Sequence, residues 1–468
     1  MERDFLDNNI TEKLLVYQID HTLNLKYILE NNITALDASD TGTGKTYTAI
    51  ATCAQMKLIP IIICPKSVIS SWNKVCKIFN IIPLIIVNYE TIRTGKYYIG
   101  GKRKICPFIN IIEKKRENSK SIDIEFKWAL PDDKFIFIFD EVHKCSNLET
   151  LNGKLLYYTK NEEKNMLLLS ATIADHPEKF KLFFYILNFI DPQNVKEKNL
   201  TYIQYMSIMY KWILRDSKPM HRIHSMLYPS RASRMKIDIL GDLFPETQII
   251  AQPYTMEKKR QNEIENEYRI IATQIDELKE KGNNDKGNIL TRILRAQQKI
   301  ELLKIPTFVE LTNDFIENGF SVVIFVNFTQ TLETLAKMLY TDCLIYGKQS
   351  AEQRDKNVNR FQENKSKVIV CNILAGGTGL SLHDLHGGHP RASIISPTWK
   401  AIDLVQVLGR IHRAGSKSKS LQRIIYTANT IEENIADKLQ NKLKNLNSIN
   451  DGDVDLTNIT FEKERINA

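Results

Sequence analysis

The sequence has no Cys-x-x-Cys pair among its seven cysteines and no apolar run of membrane-spanning length. The first absence argues against a zinc ribbon or a disulfide framework, and Cys53, Cys64, Cys76, Cys106, Cys145, Cys343 and Cys371 read as reduced core thiols. The second, with the acidic start Met1-Glu-Arg-Asp4, argues against a membrane-spanning helix or a secretory leader. The expectation is an intracellular protein, cytoplasmic or nuclear, with no membrane partner. A strong excess of one charge is also lacking: Lys and Arg number 64 against 55 Asp and Glu, a balance of +9 that permits a polyanionic partner without requiring one. Resident metal ligands are lacking too. His383, His386 and His389 recur every third residue with no cysteine nearby, so they read as a loop insertion. Asp451, Asp453 and Asp455 lack the glutamate that closes a calcium loop and read as a solvated tail.

What the sequence does carry is a nucleotide motif. Ile33–Ala38 reads as a buried strand and Thr46–Thr52 as the start of a helix. Between them lies Asp40-Thr41-Gly42-Thr43-Gly44-Lys45-Thr46. Glycine at 42 and 44 lets backbone N–H groups curl around an anion, and the helix N-terminus adds its dipole. Lys45 is placed to reach the β and γ phosphates of ATP, and the Thr46 hydroxyl to hold magnesium. The strict pattern has glycine where Ser39 stands, so Gly-Lys-Thr alone fits an ordinary strand-to-helix turn equally well.

Lys134-Phe-Ile-Phe-Ile-Phe-Asp-Glu141 strengthens the first alternative. Its apolar run suits a central parallel strand buried on both faces, and ligand sites in such sheets lie beyond the strands' carboxyl ends. Asp140 would hold magnesium through water, and Glu141 would orient and deprotonate the attacking water. Near the other end, Gln406, Arg410 and Arg413 stand at i, i+4 and i+7, which predicts one face of a helix. The arginines would act as fingers on the γ phosphate, with Gln406 sensing it. A solvated basic face is the alternative for that segment taken alone.

Apolar runs at 33–38, 59–64, 84–88, 135–139 and 166–169 predict one parallel α/β lobe, and runs at 322–326, 343–346, 367–371, 393–396 and 423–426 a second. Between them, helical spacing on both sides of Gly282-Asn-Asn-Asp-Lys-Gly287 predicts two helices joined by a polar turn.

On these motifs the chain resembles a superfamily 2 helicase. It is nearest to the Swi/Snf-type translocases, and in appearance to the helicase-like ATPases of large DNA viruses. Tyr17-Gln18 resembles the adenine-reading glutamine motif, Ile61–Lys66 with Ser71-Trp72 motif Ia, and Val87–Glu90 motif Ib. Asp140-Glu-Val-His143 is similar to a DEVH box, Ser170-Ala-Thr172 to the coupling motif III, and Val322–Phe325 to motif IV. Ala375–Leu380 resembles motif V and Gln406–Arg413 motif VI. One departure is Ala171-Thr172-Ile173 where Swi/Snf-type chains carry Gly-Thr-Pro; the Ser-Ala-Thr form is commoner in RNA helicases.

The resemblance implies an α/β fold of two tandem RecA-like parallel-sheet lobes with a helical connector, divided as 1–215, 216–305 and 306–468. It implies an ATP-dependent translocase or helicase with magnesium. Pro65, Lys66, Gly377 and Thr378 become phosphate contacts for nucleic acid, DNA favoured over RNA. An ATP-switched nucleic-acid-binding accessory factor of transcription or termination, or an RNA helicase, is the alternative. Transcription or replication proteins are the implied protein partners, a monomer the implied state, and an infected host cell or a virion the implied setting. Two basic stretches stand outside these motifs: Arg93, Lys96, Tyr97, Tyr98, Lys102, Arg103 and Lys104, and Lys211–Lys236. Each reads either as a polyanion surface or as a solvated loop.

Overall fold

The computed structural model describes the chain except for residues 1–4, 116–121, 132–133, 191, 198, 238–239, 241–243, 282–285, 377–379, 399, 431, 434–435, 437–439, 444–458 and 462–468. It forms two compact units, Met1–Gly241 with Lys444–Asp455, and Asp242–Leu443 with Leu456–Ala468.

The first unit contains strands β1 (Thr34–Asp37), β2 (Ile59–Cys64) and β3 (Ile85–Asn88). Two antiparallel hairpins follow, β4 (Lys96–Ile99) with β5 (Lys102–Ile105), and β6 (Ile109–Lys115) with β7 (Ile122–Trp128). Then come β8 (Phe135–Asp140), β9 (Asn165–Leu169) and β10 (Ala232–Ser233). The main sheet is wholly parallel in the order β10-β1-β9-β8-β2-β3. Alternation along β8 explains its run of apolar residues. Phe135, Phe137 and Phe139 pack into one core with Phe180, Phe183 and Phe184. Ile136 and Ile138 pack into the opposite core with Ala49, Ile50 and Trp72. Both faces being covered, the loops at the strands' carboxyl ends are left for function.

The second unit adds β11 (Thr247–Tyr254), β12 (Ser321–Val326), β13 (Leu344–Ile345), β14 (Val368–Asn372), β15 (Arg391–Ile395), β16 (Ser420–Thr427) and β17 (Ile459–Phe461). These form a second wholly parallel sheet, β13-β14-β12-β15-β16-β11-β17. Two parallel-sheet α/β lobes are thus present, as the sequence leads one to expect.

Residues 216–305 do not form a separate connector. The helix Pro219–Leu227 and β10 lie in the first unit, where β10 extends the sheet edge beside β1. β11 and the helices Lys258–Lys281 and Lys286–Leu303 lie in the second. The helix pair closes on Ile264, Tyr268, Ile271, Ala296 and Ile300. A buried carboxylate then ties it to its lobe: Glu432 accepts from the Lys304 ammonium, from the Tyr268 hydroxyl at 2.8 Å and from the Thr427 N–H at 2.6 Å.

Candidate nucleotide site and its flanking motifs

The loop after β1 turns at Gly42 (φ 96°) and Gly44 (φ 94°), left-handed values that favour glycine. Gly44 caps the helix Lys45–Met56, which starts at Lys45, so the loop amides and the helix N-terminus converge on one spot. The Tyr17 hydroxyl and the Gln18 amide both donate to the Thr43 carbonyl, at 3.0 and 2.9 Å. Gln18 presses so close that a side chain at Gly44 would meet its Nε2 at 2.3 Å. The Lys45 ammonium folds back and donates to the carbonyls of Ser39 (2.8 Å) and Asp40 (3.2 Å).

Beneath the loop lies a buried network that sequence reading missed. Asp37 meets His21 at 3.1 Å and accepts from the Ser39 N–H and the Thr48 hydroxyl at 3.0 and 3.2 Å. The other nitrogen of His21 meets the Ser233 hydroxyl at 2.9 Å. Burial acts to raise the Asp37 carboxyl, but the His21 and Lys45 charges, with hydrogen bonds from His21 and Ser39, outweigh it and hold the group below its ordinary range. Ser39 also accepts from the Met235 N–H at 2.9 Å, a task glycine could not perform. Asp40 turns its carboxylate to Arg234 (2.6 Å) and the Ile237 N–H (2.9 Å), so its side chain buttresses the loop. The one sequence signal for this network is an acid, Asp37, closing a buried strand.

Asp140 emerges at the end of β8. Burial first, and then the neighbouring Glu141 charge, push its carboxyl up to about 6; the Trp72 hydrogen bond and the Lys45 charge oppose this. Trp72 Nε1 donates to it at 2.9 Å, and the Tyr89 hydroxyl to its backbone carbonyl at 2.8 Å. A buried indole N–H needs a partner, which is the physical content of the Ser71-Trp72 motif in this chain. Glu141 sits in the left-handed region (φ 55°, ψ 49°). Its carboxylate lies 3.3 Å from His143 Nδ1, which is 3.1 Å from the Ser170 hydroxyl. Ser170 accepts from the Thr172 N–H at 3.2 Å, and the buried Thr172 hydroxyl has no partner among the described residues. Contacts thus run unbroken from Glu141 at the end of β8 to Thr172 beyond β9.

The donor set suits a hard divalent cation: oxygen ligands only, with a buried carboxylate at Asp140 whose negative charge its surroundings disfavour. Among the described residues no cluster of three or more His, Cys, Asp or Glu side chains could hold a metal, so such an ion would depend on phosphate and water oxygens for the rest of its shell. Pro65 is buried and Lys66 exposed at the carboxyl end of β2.

In the second lobe the helix Ala401–Leu408 carries Gln406 and ends at Gly409. Arg410 and Arg413 therefore fall in the following turn and do not share a helical face with Gln406, because each guanidinium is used to fold that turn. Arg410, 2% exposed, donates to the carbonyls of Gln406 (2.7 Å) and Leu380 (3.1 Å). Arg413 donates to the Gly409 carbonyl (2.9 Å) and the Ser381 hydroxyl (2.8 Å). Gly377 and Thr378 lie outside the described residues.

The histidine loop is organised by an acid. Asp384 accepts from the N–H groups of His386, Gly387 and His389 and from the Ser418 hydroxyl, at 2.9 to 3.2 Å. Burial, and then the Arg413 and Arg391 charges, push the His383 imidazole down to about 4. Its unfolded value is about 6.5, so the folded protein loses stability as pH falls from 6.5 toward 4. Between pH 7.5 and 5 this group should cost about 2 kcal/mol. Denaturant melts at both pH values, in wild type and His383→Gln, should show that increment only in wild type.

A phosphate loop on a parallel sheet, with two acids at the end of a central strand one position beyond its neighbour, defines a nucleotide-binding α/β protein with a second lobe of the same class. Residues 303–415 match the helicase conserved C-terminal domain family. Protein L364 of Acanthamoeba polyphaga mimivirus, named as an ATP-dependent RNA helicase, is 38% identical over 96% of this chain and 86% of its own length. The human SWI/SNF-related matrix-associated actin-dependent regulator of chromatin subfamily A member 1 is 24% identical over 92% of this chain, which spans only 43% of that relative. Among solved structures, the Sulfolobus solfataricus SWI2/SNF2 ATPase core in complex with dsDNA aligns over 92% of this chain and 90% of its own, with 18% identity and a TM-score of 0.35. The chain belongs to the Swi/Snf-type superfamily 2 helicases, ATP-dependent enzymes, and has a giant-virus relative.

Proposed function

We propose that this chain is an ATP-driven translocase on nucleic acid, DNA ahead of RNA, in which hydrolysis requires both lobes. The observation that carries the reading is the division of labour. The phosphate loop, Asp140-Glu141 and Ser170–Thr172 lie together in one compact unit, while Gln406, Arg410 and Arg413 lie in the other.

Tyr17 and Gln18, already on the loop, read the adenine. Gly42 to Lys45 offer their amides to the phosphates, and Lys45 exchanges the Ser39 and Asp40 carbonyls for phosphate oxygens. The Thr46 hydroxyl, and Asp140 through water, would hold magnesium, which when bound would supply charge neutralisation on the phosphates. Glu141 takes the proton of the attacking water. His143, Ser170 and Thr172 pass the state of that site to the strand ends that grip nucleic acid. Gln406 reports the γ phosphate, and Arg410 and Arg413 stabilise the charge that develops on it when the lobes close. Pro65, Lys66, Gly377 and Thr378 hold the nucleic-acid backbone, which recurs whatever the sequence.

Two observations favour RNA as a second reading: the Ser170-Ala171-Thr172 form and the name of the mimivirus relative. An ATPase titration with single-stranded DNA, duplex DNA and RNA at one fixed salt concentration separates them. Duplex or single-stranded DNA should stimulate most. Stimulation by RNA alone would reverse the preference, and equal rates with and without any nucleic acid would refute the translocase reading.

A further inference from the structure

The hairpin β4–β5 lies outside every motif used above. Between Glu90 and Glu113 the chain carries five cations, Arg93, Lys96, Lys102, Arg103 and Lys104, and no acid. Arg93 is engaged with Asn152 at 3.1 Å. The other four are exposed, and none has an ion-pair partner among the described residues. The strand β5 is exposed along its whole length, and Ile99 and Ile105 on the hairpin are 45% and 81% exposed. Gly100 and Gly101, at φ 55° and 76°, make the tight tip, and a side chain at either would meet nothing within 4 Å.

The base is as fixed as the tip is open. The Tyr98 hydroxyl lies 2.8 Å from the Asn88 side-chain oxygen and 3.1 Å from the Thr91 hydroxyl. Asn88 is buried at the carboxyl end of β3, paired with Cys64 of β2, two residues before Lys66. The hairpin is therefore rooted on the sheet edge where ligands bind. Lys102 and Lys104 share one face of β5, about 6.8 Å apart along the strand, a spacing comparable to successive phosphates on an extended strand. Edge lysines also discourage strand-to-strand aggregation, but mixed charge would serve that purpose without the mutual repulsion of three adjacent cations.

We infer that the β4–β5 hairpin is a phosphate-gripping arm, contacting the nucleic-acid backbone through Lys102 and Lys104 on one face of β5 and Arg103 on the other. The inference rests on the nucleic-acid reading above and adds a contact outside its motifs. The test is fluorescence anisotropy of labelled single-stranded DNA, duplex DNA and RNA of one sequence. Full-length wild type is compared with the Lys102→Ala/Arg103→Ala/Lys104→Ala variant across a KCl series, and ATP turnover is measured in parallel.

The variant should bind at least about tenfold more weakly, and the slope of log affinity against log salt should fall by about 2 to 3, three contacts at roughly 0.7 to 0.9 each. Its turnover without nucleic acid should equal wild type, and a Lys102→Arg/Lys104→Arg variant should bind as wild type does. Wild-type affinity and slope in the triple variant would overturn the inference and leave the functional reading standing. Hairpin-dependent binding with turnover indifferent to nucleic acid would do the reverse. Absence of binding by wild type would remove both.

Discussion

Arg413→Ala is expected to lower nucleic-acid-stimulated ATP turnover by about 10³-fold or more, the range of an arginine finger being roughly 10³ to 10⁵. The side chain is half-buried and, within the second lobe, donates to the Gly409 carbonyl and the Ser381 hydroxyl. Losing these should cost about 1–2 kcal/mol of stability, too little to unfold a lobe whose sheet has seven strands. ATP affinity in the absence of nucleic acid should stay within about twofold, because the phosphate loop belongs to the other unit. Arg413→Lys keeps the charge but loses the planar fork and should recover only part of the rate. Arg410→Ala should be slow and also less stable, since that guanidinium is buried and bonds two carbonyls. Phosphate release under saturating ATP, with a thermal melt on each variant, separates the two arginines.

Glu141→Gln should reduce turnover by about 10² to 10⁴ with ATP still bound, the loss expected when a positioned general base is removed. The backbone here adds a second comparison. Glu141 holds a left-handed conformation that costs a residue with a side chain about 1–2 kcal/mol and glycine almost nothing. Glu141→Gly should therefore raise stability by about 1 kcal/mol while abolishing turnover, so the two properties move in opposite directions. A chemical melt and a single-turnover assay on the same preparations check both.

Both lobes were legible because each central strand is a run of apolar residues, buried on both faces, ending in a polar signal. Phe135–Asp140 is the clearest instance, and the run at 59–64 coincides with β2 residue for residue. Elements without that signature escaped notice. β10 is two residues long, and β11 carries Gln248, Gln252 and Pro253 outside Ile249–Ala251, the stretch that β17 pairs with among the described residues. β4–β5 presented itself as a basic stretch because β5 is exposed along its whole length and needs no alternation.

In the candidate site, local spacing revealed the phosphate loop and the two acids. The side chains that orient them were hidden by distance along the chain: Arg234 meets Asp40 across 194 positions, and Ser233 meets His21 across 212. Gln406, Arg410 and Arg413 show the opposite failure. Their periodicity is helical, yet Gly409 ends the helix and the arginines' own hydrogen bonds fold the turn that follows.

The central claim is that ATP and nucleic acid together draw the two lobes into one working site. All seven native cysteines are buried, so single cysteines introduced at Ile82 (86% exposed, first lobe) and Tyr340 (97% exposed, second lobe) can carry a dye pair selectively. Single-molecule energy transfer between them should show a distance distribution that shifts and narrows when a non-hydrolysable ATP analogue and nucleic acid are both present, and broadens again when either is withdrawn. A distribution indifferent to both ligands, in a protein that still turns over ATP, would contradict the account.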